Sequence, residues 1–422
     1  MRSAPQKRRE AQETVPTMRR AVHRWEFKAR FRRHAFGWKS QPAIARIKQA
    51  VAEIRKVAKV DVVQAADGAV AFLERLSPAL ENIDSSSGAI GTAVNNAITD
   101  LVPIIATAPA DAETRATWLE RLWEAYQNDE IPYVERLGDH WGELCASEEV
   151  ASEWADRLQG IVRQAWNPDP SLRGVFKGTT NCLSALVAAK RYDDVLALLE
   201  IAPYKMWHYR QYGVMALAAL GRKADAIRYA EEDRGMNDSP VSIARACEEV
   251  LLSSGLAVEA YHRYGLAANQ AGTYLATFRA VAAKYPHKSA IDILSDLVKK
   301  TPGEEGKWFA AAKEAGLYEE ALALASRTPC DPRTLARAAR DYSITQPDFA
   351  VGAGLLALHW LVQGYGYEIT GADVLAAYAS TMKAAERHGS VSLVKERIRT
   401  LMGSEGQGRG FVTGILAREL ET

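Results

Sequence analysis

Nucleophilic, metal and acid–base chemistry each need particular residue types at particular spacings, and this 422-residue chain has few such patterns. Its four cysteines, Cys145, Cys182, Cys247 and Cys330, lie far apart and never form a CxxC pair. That spacing disfavours both a disulfide framework and a zinc knuckle, and it fits a reducing cytoplasm. Free cysteines of this kind usually serve as small core residues. There is no HExxH, no Gly-x-Ser-x-Gly elbow and no histidine pair at i, i+4. The segment 128–145 gathers Asp129, Glu130, Glu135, Asp139, His140 and Glu143, residue types that suit a metal or a general acid and base. Asp139 and His140 are adjacent, however, so on a helix their side chains diverge by about 100°. A solvated acidic face is the better reading. No catalytic residue, metal or cofactor is therefore expected, and the chain is read as a non-enzymatic protein.

Three segments have the composition of binding sites. PYKMWHYRQYG (203–213) sets Tyr204, Trp207, Tyr209 and their neighbours around Lys205 and Arg210. Aromatics with arginine dominate protein interface hot spots, so Tyr204, Lys205, Trp207, Tyr209 and Arg210 are the candidate partner-binding residues, with inter-repeat core as the plainer alternative. HRWEFKARFRRHAFGWK (23–39) interleaves Trp25, Phe27, Phe31, Phe36 and Trp38 with cations. Arg24, Lys28, Arg30, Arg32, Arg33, Trp38 and Lys39 are candidates for nucleic acid, which is held by phosphate neutralisation and base stacking. An anionic membrane surface is a less favoured partner, and docking onto the protein's own body is the plain alternative. In IDSSSGAIGTAVNNAI (83–98), Asp84 to Ser87 are helix-capping types, and Ser86, Ser87, Gly88 and Gly91 could present amides to an anion or small ligand. No P-loop lysine or preceding strand supports a nucleotide there, so an enzyme or ligand site at 83–98 stands third.

The elements that must position these residues read as helix almost throughout. Hydrophobic residues make up 48% and charged residues 25% of the chain, as in folded globular proteins. Alternating β-branched runs are missing, and prolines and glycines separate segments of helical period. The fold class is all-α. No stretch is read as approaching the roughly 18–20 uncharged apolar residues of a membrane span, and no secretory signal is expected. The formal charge of +1 hides an asymmetry: residues 1–60 carry 17 basic and 4 acidic residues, the rest 36 and 48. Residues 1–40 are expected to form a basic, largely disordered arm, 1–20 being too polar to offset the entropy of ordering. Residues 41–170 read as a separate helical region, with a helix from Pro42 whose apolar stripe excludes Arg46, Lys48, Arg55, Lys56 and Lys59.

Between 171 and 365 the chain shows an internal period. Six segments, at 190–199, 221–230, 255–264, 285–294, 316–325 and 345–354, each join a turn to a helix start. Their sixth positions, Val195, Ala226, Ala260, Ala290, Ala321 and Ala350, fall 31, 34, 30, 31 and 29 residues apart. Helix–turn–helix units at that period mark an α-solenoid, because a two-helix hairpin cannot bury its apolar face alone. GLYEEALALA resembles the second helix of the tetratricopeptide-repeat family, with Gly316, Tyr318, Glu319, Glu320, Ala321 and Leu322 in the family's order. Tyr192, Asp193 and Asp194, and Gly221, Ala226 and Ile227, keep parts of it, while the first-helix Trp, Leu-Gly and Tyr positions are largely missing. The resemblance implies stacked hairpins with a concave partner-binding face, and residues 366–422 would cap them. The expected function is a cytoplasmic scaffold for a protein or peptide partner, with nucleic-acid binding through the arm as the alternative.

Overall fold

The computed structural model describes residues 23–232, 238–403, 405 and 410–421. It is 73% helical and holds no strand among the described residues, so the fold is all-α. Residues 1–20, expected to be disordered, lie outside the described residues. The chain divides into two compact units, Met1–Gly235 and Met236–Thr422. That division falls inside the 171–365 segment rather than at either of its ends.

In the first unit the long helices Ser40–Ala58, Val62–Leu80 and Ala89–Thr107 pack on one another, and Ala112–Gln127 packs on Val62–Leu80. Side-chain caps start several of them: Asp61 accepts from the Gln64 amide at 3.0 Å, and Asp111 from that of Thr114 at 2.7 Å. Buried Arg115 closes the opposite kind of terminus. Its guanidinium donates to the carbonyls of Ile105 (2.6 Å) and Ala108 (2.7 Å), at the negative end of the Ala89–Thr107 dipole. This same helix is, by length and composition, apolar enough to cross a membrane, which corrects the expectation that no stretch approaches one. Within the unit it packs against Ser40–Ala58, Val62–Leu80 and Trp141–Cys145, which calls for apolar residues on several sides.

The N-terminal segment also departs from expectation. Trp25, Phe27 and Phe31 are buried, and the rings of Phe27 and Phe31 meet Phe72 edge-on at 5.2 and 4.9 Å. Gly68 makes room for the indole: a Cβ there would sit 2.1 Å from Trp25 Cζ2. Trp25, Phe27 and Phe31 thus belong to the core and anchor the segment to it, because aromatics of this size bury far more apolar surface than an exposed arm would. A second aromatic cluster joins Trp123, Trp141 and Trp154, with Trp141 and Trp154 4.9 Å apart.

Two helical hairpins complete this unit, Thr179–Ala188 with Tyr192–Glu200 and Trp207–Ala219 with Lys223–Glu231. The second unit holds Pro240–Leu252 with Ala257–Ala268, Tyr274–Lys284 with Ala290–Lys300, Phe309–Glu314 with Tyr318–Arg327, and Pro332–Tyr342 with Pro347–Val362. Helices Gly371–His388, Val391–Gly403 and Phe411–Glu421 follow and pack on the last of these hairpins or on each other.

Four hairpins are closed by one and the same turn. Lys190, Gly221, Gly255 and Gly316 take φ of 56°, 77°, 74° and 75°. In each, the amide of that residue donates to the carbonyl three back, and the next amide to the carbonyl five before it. This is the Schellman closure, and the second helix starts two residues after the left-handed one. Three residues into those helices stand Val195, Ala226, Ala260 and Ala321, all fully buried, and Ala350 holds the same place in Pro347–Val362, whose hairpin closes differently. The fourth hairpin corrects the sequence alignment. Ser289 caps its second helix by accepting from the Asp292 amide, so the buried equivalent is Ile293 and Ala290 sits at the helix start, partly exposed.

The first hairpin of the second unit carries another irregularity. Its helix passes through a π-turn at Tyr261–Gly265, where Gly265 lies against the Tyr285 ring and would clash with it at 2.9 Å if it bore a Cβ. Buried Glu248 ties these elements together, accepting from the Tyr285 hydroxyl at 2.5 Å and the Asn269 amide at 2.7 Å.

Two stability outcomes follow from these contacts. Lys190→Gly, which removes a side chain from a left-handed position, should raise the urea midpoint, whereas Gly221→Ala should cost about 1 kcal/mol. Trp25→Ala should cost about 3–5 kcal/mol in denaturant unfolding; a loss near zero would mean that Trp25 does not anchor its segment to the core.

Candidate functional site

The segment 201–206 links helix Tyr192–Glu200 to Trp207–Ala219, and with Lys223–Glu231 these walls enclose a cavity of about 560 Å³. Leu196, Leu199, Ala202 and Leu217 give it an apolar floor. Of the five candidate partner-binding residues, Tyr204, Lys205, Tyr209 and Arg210 line it. Trp207 does not; it is buried at the first turn of its helix and acts in packing.

The lining residues divide into fixed and accessible groups. Arg210 is only 4% exposed. Its guanidinium donates to the Tyr229 carbonyl and lies 4.9 Å from the centre of the Tyr229 ring, so it fastens two cavity walls to one another. Gly213 permits this approach, since a Cβ there would come within 2.7 Å of Tyr229 Cε1. Tyr209 is steadied by an edge contact with Trp166 at 5.2 Å. Burial pushes the phenols of Tyr209 and Tyr229 above their usual range, while Arg210 draws Tyr229 back. Both are therefore neutral hydroxyls at physiological pH.

At the rim, Tyr204 is 63% exposed and Lys205 is also exposed. Arg222 and Arg228 share one carboxylate, Asp225, at 2.9 and 3.2 Å. Glu200 and Glu232 add negative charge to the lining. The surface is thus amphipathic and of mixed sign, with an anchored arginine beneath an exposed tyrosine and lysine. The sequence singled out the aromatic and cationic residues of 203–213, but not the second-helix residues Arg222, Asp225, Arg228 and Tyr229. The signal for those was weak, because charges on a helix normally face solvent.

The other candidate residues are dispersed. Arg24, Lys28, Arg30, Arg32, Arg33, Trp38 and Lys39 are exposed, with Arg30 paired to Glu26 and Arg33 to Glu81. Among the aromatics expected to stack bases, Trp38 is 72% exposed, whereas Trp25, Phe27 and Phe31 are in the core. Around 83–98 the helix cap is Gly88, at φ 68°, rather than a residue of Asp84–Ser87. The Asp84 carboxylate takes the Ser86 amide at 2.9 Å, which puts a negative group where an anion was expected beside Ser86, Ser87, Gly88 and Gly91. In 128–145, Asp129 is buried and accepts from the amides of Tyr133 and Val134, at 3.3 and 2.8 Å. Its role is to hold that turn. No three His, Cys, Asp or Glu residues are grouped to hold a metal among the described residues.

Comparison with known proteins finds no matching family model, no similar curated protein and no similar solved structure.

Burial pushes the thiols of Cys145, Cys182 and Cys330 up to about 12. An unfolded thiol ionises near pH 8.5. The folded state therefore keeps protons that the unfolded state releases, and stability should fall as pH rises from about 8.5 towards 12. A thiol-specific reagent at pH 8 should label the four cysteines only after denaturant is added; rapid native labelling would contradict their burial.

Proposed function

We propose that the chain is a helical-repeat scaffold that holds a protein or peptide segment in the cavity formed by residues 196–232. The observation that carries this reading is the convergence of Tyr204, Lys205, Tyr209 and Arg210 on one cavity whose walls are already locked together by Arg210 and Tyr229. A preformed surface loses little entropy on binding, and aromatic and arginine side chains supply much of the energy in such contacts. The repeat reading, including its tetratricopeptide-like character, is supported by the four equivalent turn closures and by the buried residue three places into each second helix. It is also supported by packing between helices two apart in sequence, such as Thr179–Ala188 on Trp207–Ala219 and Tyr318–Arg327 on Pro347–Val362. The four cysteines are all buried and lie far apart in sequence, which accords with a reducing compartment such as the cytoplasm. The role is that of a binder and not of an enzyme.

Affinity capture from native lysate checks this with the wild-type chain and with Tyr204→Ala combined with Lys205→Glu, two exposed positions that leave the anchor intact. The wild type should retain a defined protein that survives nuclease treatment, and the double variant should lose at least about nine-tenths of it with unchanged helicity. Equal recovery by both would remove the cavity from the account, and recovery abolished by nuclease would replace the protein partner with nucleic acid.

A further inference from the structure

We propose that the groove between helices Ser40–Ala58 and Ala89–Thr107 is a second docking site, built for an acidic amphipathic helix of a partner protein. It is a trough of about 410 Å³. Its floor is Ile47, Val51, Ala52, Ala93 and Ala97, and the three alanines are what leave the space open. One wall carries Lys48, Arg55, Lys56 and Lys59, and the other contributes Asn96 and Asp100.

The charge along that wall is uncompensated. Positions 48, 52, 56 and 59 share one face of the helix, so Lys48, Lys56 and Lys59 form a like-charged strip about 16 Å long. The acid on the groove, Asp100, is already engaged with Arg55 at 2.6 Å. Among the described residues, Lys48, Lys56 and Lys59 have no ion-pair partner, and all three are exposed. The unit does not lack acids: residues 61–235 hold 27 acidic against 16 basic residues. Yet among the described residues only Glu81 and Asp100 of that stretch pair with a cation of 23–60. Residues 1–22, outside the described residues, carry 6 basic and 2 acidic residues in sequence and so bring little negative charge of their own. Three exposed, like-charged lysines along an apolar trough are complementary to an acidic partner.

The floor decides between classes of anionic partner. Single-stranded nucleic acid is gripped by aromatic platforms together with cations, and this groove has no aromatic residue in its lining. An apolar trough bordered by cations instead matches a helix that lays its apolar face into a groove and presents carboxylates at the border. Val60, next in the chain after Lys59, is 85% exposed and extends the apolar surface available at that end. In the sequence these cations only lie off the helix's apolar stripe; the trough emerges when Ala52 and its neighbours are set beside Ala93 and Ala97. This inference stands apart from the cavity at 196–232 and uses none of its residues.

The test uses the full-length chain and fluorescence anisotropy near physiological salt. The probe is a labelled synthetic helix of about 20 residues, with leucines along one stripe and glutamates beside it. Comparators are the same peptide with glutamine for glutamate and a single-stranded RNA of similar length. The wild-type chain should bind the glutamate peptide at least about tenfold more tightly than either comparator. Lys48→Glu with Lys56→Glu and Lys59→Glu should weaken it at least about tenfold. Ala52→Tyr, which fills the trough without changing charge, should do the same, and Asn96→Trp on the exposed opposite wall is a second blocking variant should Ala52→Tyr disturb the fold. Failure of the wild type to bind the glutamate peptide, indifference to both blocking variants, or tighter binding of RNA would each overturn the proposal.

Discussion

The architecture turns on single residues held in the left-handed conformation. At Lys190, Gly221, Gly255 and Gly316 a positive φ lets two successive amides reach back into the preceding helix, which satisfies carbonyls that its end would otherwise leave open. The chain reverses at once, and the next helix begins two residues later in a fixed rotational setting. Its fourth residue then faces inward, where Val195, Ala226, Ala260 and Ala321 are fully buried. A larger side chain at those places would force the paired helices apart, because packed interiors give little room for extra atoms. The turn thus sets the register, and the register sets which residues are small.

The same geometry produces the candidate site. Arg222 follows the left-handed Gly221 directly and lines the cavity, so the closure that ends one helix also places a rim cation. Arg210 and Gly213 then draw Tyr229 against Trp207–Ala219, which fixes the opposing wall. A guanidinium spent on a backbone carbonyl and a tyrosine face contributes shape and stiffness more than recognition. Recognition falls to the accessible Tyr204 and Lys205 beside it.

Much of this was legible in the residues themselves. Helical period marked the all-α class and the glycines at 221, 255 and 316 marked their turns, whereas Pro78 and Pro103, expected to separate helices, lie inside Val62–Leu80 and Ala89–Thr107. Lys190 was not legible as a left-handed residue, since only its place in the period distinguishes it. Ala290 misled because Ser289 caps the helix three residues later than the pattern suggests. The N-terminal aromatics misled for a different reason: their burial depends on the slot above Gly68, some forty residues on, and local composition contains no trace of it. Within 203–213 the residue types pointed to the right neighbourhood, but only the fold separates buried Trp207 from exposed Tyr204. The charge asymmetry was plain as a number, whereas its concentration along one groove depends on which helix lies beside Ser40–Ala58.

Amide hydrogen exchange on the full-length chain, free and bound to the protein it captures, tests the central claim most directly. Binding in the cavity predicts slowed exchange concentrated in 199–232, with the left-handed turn at Gly221 among the protected amides. Protection confined to other segments, or none at all, would contradict the assignment of this cavity as the partner's seat.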